Sequence, residues 1–312
     1  MKGLDLARGY YETYGKPMLE KDFPDILSRI AIALFGEGSE CYGYDDALSC
    51  DHDLEPGFMI FLPDEDTVSE KQAFALEKAY LRLPKEYLGY QRSLFSPADG
   101  NRHGVFRASA YFMDRLGSAD GTLSLEQYFT LPEHLLYEAL NGEIFSDPSG
   151  LLKDIRANLS VMPEDILKKK LVSCLLSMSQ SAEYNYERCL RRKEYGAAQL
   201  TVNEYVRAAM KCIFLLNRTY MPYYKWQFRA LRELKHLSLG AEILEYLLQS
   251  ANSEEEAANK RRMMNLLSEM ILEEAERQNI LKKQENLQKT AFALNDSIRD
   301  ADIRNMFVST AV

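Results

Sequence analysis

Two short apolar runs, Ile30–Phe35 and Phe58–Leu62, stand out in the first third of the chain. Continuous apolar runs of this length, bounded by glycine and polar turn residues, predict buried strands over 29–36 and 57–62. Upstream, Leu4, Ala7, Tyr11 and Tyr14 recur at helical spacing and predict an amphipathic helix over 4–20. Residues 68–83 return to a helical pattern that stops before Pro84. The stretch Gly104–Tyr111 predicts a third strand and Glu143–Phe145 a short fourth one, closed by an Asp147-Pro148-Ser149-Gly150 turn. From Leu151 onward the strand signals fade. Helical patterns cover about 163–192, 200–219, 222–236, 239–250 and 254–290, with Gly196 and Gly240 at breaks. The expected architecture is α+β: a mixed-sheet domain over 1–150 with flanking helices, then a helical bundle over 151–312.

Composition narrows the function classes. The chain has 312 residues, 46% hydrophobic and 27% charged, which suits a globular protein with a full core. Its net charge of −9 argues against an extended nucleic-acid surface, which needs a basic face to neutralise phosphates. No apolar run approaches the length of a membrane span, and the first eight residues lack a signal-peptide core. Five cysteines lie scattered without a Cys-x-x-Cys pair, so neither zinc nor a disulfide framework is expected and a cytoplasmic location is. The four histidines are dispersed as well.

The residues between the two apolar runs carry the chemistry. Gly38-Ser39 follows the first run, and Asp51 and Asp53 precede the second. On an extended chain, residues two apart share a face, roughly 6.5–7 Å apart. Two carboxylates so placed can converge on hard cations that clamp a phosphoryl group. A Gly-Ser turn offers N–H groups and a hydroxyl to phosphate oxygens. The same residue types also build ordinary turns, a reading in which Asp45, Asp46, Asp51 and Asp53 only cap and solvate a loop.

A strand, a Gly-Ser turn and an Asp-x-Asp pair before the next strand resemble the signature of the nucleotidyltransferase superfamily. The wider wording, from Gly36-Glu37-Gly38-Ser39-Glu40-Cys41-Tyr42-Gly43 through Asp51-His52-Asp53, is similar to its bacterial DUF4037 branch. Two later blocks extend the resemblance, Gly142-Glu143-Ile144-Phe145-Ser146-Asp147 and Tyr220-Met221-Pro222-Tyr223-Tyr224-Lys225-Trp226. The resemblance implies a nucleotidyltransferase fold with its site in the cleft before the helical domain. It implies that Asp51 and Asp53 bind Mg2+ or Mn2+ and are catalytic, and that Gly38 and Ser39 hold the phosphates of an NTP, ATP by default. Lys225 would reach the triphosphate, as a lysine does in the helical domains of antibiotic nucleotidyltransferases. The product would be an NMP joined to a hydroxyl or amine of an acceptor the sequence does not name: a small molecule, a protein or an RNA end.

The chain departs from the family at the third carboxylate. Arg107 and Ser109 stand where it is sought on the 104–111 strand, with Asp114 and Glu143 as nearby substitutes. Asn185 and Arg188 share a helical face and are weaker nucleotide contacts. Two other function classes stay open. One is a catalytically inactive nucleotide sensor. The other is a helical ribonuclease of toxin–antitoxin type, to which Arg229 and His236, six residues apart in between, conform formally.

Overall fold

The structure is a computed structural model and describes residues 1–46, 55–92 and 102–307. Asp51 and Asp53 lie outside the described residues. Contacts divide the chain into two units, Met1–Gln127 with Leu135–Val161, and Tyr128–His134 with Met162–Val312.

In the first unit, α1 (Gly3–Tyr10) runs through a π-helical turn (Tyr11–Gly15) into α2 (Lys16–Asp22), followed by α3 (Pro24–Leu27). The strands are β1 (Ala31–Leu34), β2 (Met59–Leu62), β3 (Glu86–Tyr87), β4 (Tyr90–Gln91), β5 (Gly104–Arg107) and β6 (Glu143–Ser146). The main sheet has the order β5-β2-β1-β6 and is mixed: β1 is antiparallel to β2 and β6, while β2 is parallel to β5. Helices α4 (Glu70–Leu81), α5 (Ala108–Leu116) and α8 (Leu151–Ser160) belong to this unit. The unit division crosses α6 (Leu125–Thr130) and α7 (Glu133–Leu140).

Every residue of β1 and β2 is buried, as expected of strands covered on both faces. Ile32, Phe58, Ile60 and Leu62 join one cluster with Tyr10, Leu19, Leu76 and Tyr80. Phe61 serves the other, stacking on Phe35 at 5.3 Å and meeting Tyr111 of α5 edge-on at 5.1 Å. The expected strand over 104–111 is half a strand: the ladder ends at Arg107 and α5 begins at Ala108. The physical reason is that Ala108, Tyr111, Phe112 and Leu116 fall at helical spacing and are all buried. A short apolar run does not show which period it will adopt.

The second unit is helical, as the fading strand signals imply. Its elements are α9 (Glu164–Met178), a π-helical segment (Ser179–Asn185), α10 (Tyr186–Arg191), α11 (Tyr195–Leu216), α12 (Gln227–Glu233), α13 (Gly240–Gln249), α14 (Glu254–Arg277), α15 (Leu287–Asp296) and α16 (Ala301–Asn305). The expected helix over 163–192 is helical from Glu164 to Arg191, while those over 222–236 and 254–290 are cut shorter. Lys193 (φ 61°) ends α10 and Asn279 (φ 58°) follows α14, left-handed positions that no helix continues through. In the 222–236 stretch, only Gln227–Glu233 is α-helical, after a 3-10 turn at Tyr224–Trp226. Among the described residues no helix is long and apolar enough to cross a membrane.

One glycine fixes the register between β6 and the end of β1. Gly142 has φ +60°, and a Cβ there would lie 2.2 Å from the Leu34 carbonyl oxygen. Gly142→Ala is expected to cost roughly 2–5 kcal/mol, from about 1–2 for left-handed backbone and about 1–3 for overpacking. Gly196, in the first turn of α11, has nothing within 4 Å of its Cβ position. Gly196→Ala is expected to be neutral or stabilising by up to about 1 kcal/mol. Denaturant melts of both variants check the pair.

Candidate functional site

The chain leaving β1 makes a single closed turn. Cys41 and Tyr42 N–H groups donate to the Gly38 carbonyl at 2.9 and 3.3 Å. Tyr44 N–H donates to Ser39 O, and Gly43 N–H to Glu40 O, with Gly43 at φ +74°. That is a Schellman ending, and it needs a residue able to adopt the left-handed conformation at position 43. Asn141 clamps the start of the turn: its Oδ1 accepts from Gly36 N–H and its Nδ2 donates to Gly36 O, both at 2.9 Å. Gly142 N–H adds a bond to Cys41 O. Asn141 and Gly142 together therefore lock the turn that carries Gly38 and Ser39.

The turn leaves several donors unused. Among the described residues, the N–H groups of Gly38 and Ser39 have no acceptor, and the buried Ser39 hydroxyl has no hydrogen-bond partner. A buried polar group without a partner costs about 1–3 kcal/mol and calls for an explanation. Above Gly38 sits an ion pair between Arg102 and the buried Glu40 carboxylate. A Cβ on residue 38 would fall 1.9 Å from Arg102 Nη2 and 2.1 Å from Glu40 Oε1, so the pair occupies the space the glycine leaves. Next to it is a cavity of about 30 Å3, room for one water molecule, whose walls include Glu37, Tyr111, Arg115 and Glu138. Burial pushes the Glu138 carboxyl up, against the opposing hydrogen bond that Tyr42 donates at 2.8 Å. Burial pushes Tyr111 up to about 12, and Arg115 lies 3.9 Å from its ring centre.

Three of the four positions considered for a third carboxylate are engaged elsewhere. Arg107 donates to Pro63 O at 2.7 Å and to Glu70 at 2.6 Å, and Ser109 donates to Asp64 at 2.7 Å. Glu143 pairs with Arg8, and Asp114 is exposed on α5. Just before β5, His103 covers Gly57, and its Nδ1 lies 3.1 Å from Glu55, two residues past Asp53 in sequence.

In the helical unit, Lys225 is exposed with its ammonium 4.9 Å from the Trp226 ring. Arg188 lies over Tyr184 at 3.6 Å. Arg229 is on α12, but His236 lies beyond that helix. Asn217 exchanges two hydrogen bonds with the His236 backbone, and the imidazole lies 3.2 Å from both Glu274 and Arg277.

A second ionic centre has no counterpart in the sequence reading. Glu133, at the start of α7, is buried and accepts from Lys170 of α9 at 2.8 Å; Lys211 of α11 lies 3.7 Å away. Its other oxygen accepts from Met221 N–H at 3.2 Å. Burial works to raise the Glu133 carboxyl, but the two lysines and the hydrogen bonds outweigh it and hold it below the usual value of 4.5. One signal in the sequence bears on it: Lys168-Lys169-Lys170 interrupts an apolar helix face. Three consecutive residues span about 200° of a helix, so a mostly buried helix must bury at least one of them.

Comparison with known families bears on this second centre. Residues 128–227 match a family model described as Domain of unknown function (DUF4037). No curated protein and no solved structure matches the chain. The DUF4037 segment encloses Glu133, Lys170, Lys211 and Met221, as well as the Tyr220–Trp226 block.

Breaking the buried pair tests its weight. Glu133→Gln leaves Lys170 buried opposite a neutral group, a change worth about 3–5 kcal/mol. Because the folded carboxyl sits below its unfolded value, the contribution is fully present above about pH 4.5 and is lost as pH falls through the folded value. The stability gap between wild type and Glu133→Gln should be widest near pH 7 and shrink on acidification below 4.5. Thermal melts across pH read this directly.

Proposed function

We propose that the chain is a nucleotidyltransferase that moves an NMP from an NTP, ATP by default, to a hydroxyl or amine acceptor. The observation carrying this reading is the clamped turn at Gly36–Gly43, with two open N–H groups and a buried, unpartnered Ser39 hydroxyl. These are donors fixed before a ligand arrives, the arrangement that stabilises phosphoryl transfer without reorganisation. The carboxylates of Asp51 and Asp53 follow in sequence.

A divalent cation belongs to this reading. Among the described residues no group of three His, Cys, Asp or Glu side chains is placed to hold a metal. In this reading the turn holds phosphate oxygens, and the two hard aspartate carboxylates, Asp51 and Asp53, suit Mg2+ or Mn2+. When bound, the cation neutralises charge on the triphosphate. The chain's own contribution is positional. Gly38 N–H, Ser39 N–H and Ser39 Oγ–H donate to non-transferred phosphate oxygens, and Arg102, held by Glu40, adds positive charge beside them. Lys225 supplies a further exposed cation, which Lys225→Met tests by triphosphate affinity.

Incubation with each NTP and Mg2+, followed by mass spectrometry of the protein and of a metabolite extract, detects the transferred group and names the acceptor. Asp51→Asn and Asp53→Asn should each abolish transfer. Binding without transfer in the wild type would favour the nucleotide sensor. Ser39→Ala separates a ligand contact from a packing role. It should weaken NTP binding about ten- to a hundredfold, the weight of a charge-assisted hydrogen bond. It should also leave the free protein as stable or slightly more so, since it removes an orphaned buried hydroxyl. A marked drop in melting temperature for Ser39→Ala would make the hydroxyl structural.

A further inference from the structure

The helical unit has a pocket of its own, about 620 Å3, within the range of small-molecule sites. Lys170 and Lys211 line it around Glu133, so one carboxylate stands against two ammonium groups. Arg207, four residues before Lys211 on α11 and hence on the same face, lines it too. Arg207 is exposed and makes no ion pair or hydrogen bond among the described residues. With Glu204 as the other acidic residue on the wall, three cations face two carboxylates, a local positive excess in a chain of net charge −9. The mouth is aromatic. Tyr223 and Tyr224 have ring centres 4.4 Å apart, and His134 meets Tyr223 at 5.5 Å. Tyr224 is 71% exposed, a large flat face turned to solvent.

We propose that this pocket binds a small-molecule phosphomonoester that carries a flat ring. The phosphate bridges Lys211 and Arg207, and the ring lies against Tyr224. Three terminal oxygens and two charges let one phosphate engage an ammonium and a guanidinium one helical turn apart, which a monocarboxylate does less well. Glu133 holds Lys170 and so places the base of the pocket; it is a positioning residue. The site is built from the helical unit alone and does not depend on the nucleotidyltransferase reading.

Calorimetry on the full chain tests it with phenyl phosphate, glycerol 3-phosphate, inorganic phosphate and benzoate. Phenyl phosphate should bind tightest, with benzoate at least about tenfold weaker, the weight of one charge-assisted contact. Arg207→Gln, at an exposed position, should weaken phenyl phosphate about tenfold at unchanged melting temperature; Lys211→Met should weaken it as much but also lower the melting temperature, because the buried Glu133 loses one of its two lysines. Tyr224→Ala should abolish the preference for phenyl over glycerol phosphate and leave inorganic phosphate unaffected. Ser39→Ala should change none of these affinities. The proposal is overturned if the wild type gives no saturable heat with phenyl phosphate, or if benzoate binds equally well. It is also overturned if Arg207→Gln and Lys211→Met both bind like wild type, or if Ser39→Ala removes the binding and so assigns the phosphate to the turn.

Discussion

The buried Glu133 carboxylate is the constraint around which the helical unit is organised. It gathers Lys170 of α9, Lys211 of α11 and the Met221 N–H onto one pair of oxygens. Each ion taken out of water costs several kcal/mol, and close, well-bonded partners must offset that cost. A small shift of either helix would leave a buried charge uncompensated. The pair therefore specifies where α9 and α11 stand more than it adds net stability. Two other buried lysines follow a neutral version of the rule: Lys169 donates to Asn295 and the Arg304 carbonyl, and Lys260 to Gln199 and Asn252. Burial lowers both of their pKa values, with no carboxylate in hydrogen-bond contact to hold them up.

The turn after β1 is held by the opposite means, a lack of side chains. Gly142 lets β6 approach the Leu34 carbonyl, and Gly38 gives room to the Glu40–Arg102 pair. Asn141 then supplies both partners that the Gly36 backbone needs. A turn whose own bonds are closed at positions 41–44 and clamped at 36 keeps the intervening donors fixed and unused.

How much of this was legible in the sequence follows from the range of each interaction. The strands at 31–34 and 59–62 were legible because burial on both faces writes a continuous apolar run between turn signals, whereas the half-buried strand at 143–146 was marked by the Asp147-Pro148-Ser149-Gly150 turn that follows it. Ala108, Ala110 and Tyr111 extended the apparent strand at 104 because a short apolar stretch suits both periods. Helices α6 and α7 were missed: each is short, and Leu131-Pro132 separates them. The Gly38-Ser39 turn was legible as a local motif. Its partners were not, since Arg102 and Asn141 come from 62 and 105 residues away and nothing local marks them. The same holds for Glu133 and Lys170, 37 residues apart, where only the misplaced run of lysines gave a sign.

Both units place a cation by the same device. A buried carboxylate, Glu40 in one and Glu133 in the other, holds the arginine or lysine that stands beside an opening. A free lysine or arginine loses up to about 2 kcal/mol of rotamer freedom when a ligand orders it. A cation already fixed by a buried partner has lost that freedom on folding, so an arriving anion meets it at a lower cost. The buried pairs are also screened by salt far less than surface charges. A chain of net charge −9 can in this way present two small, oriented cations. A cation confined to such an opening suits a compact, multiply charged ligand, which can bring several oxygens to one place.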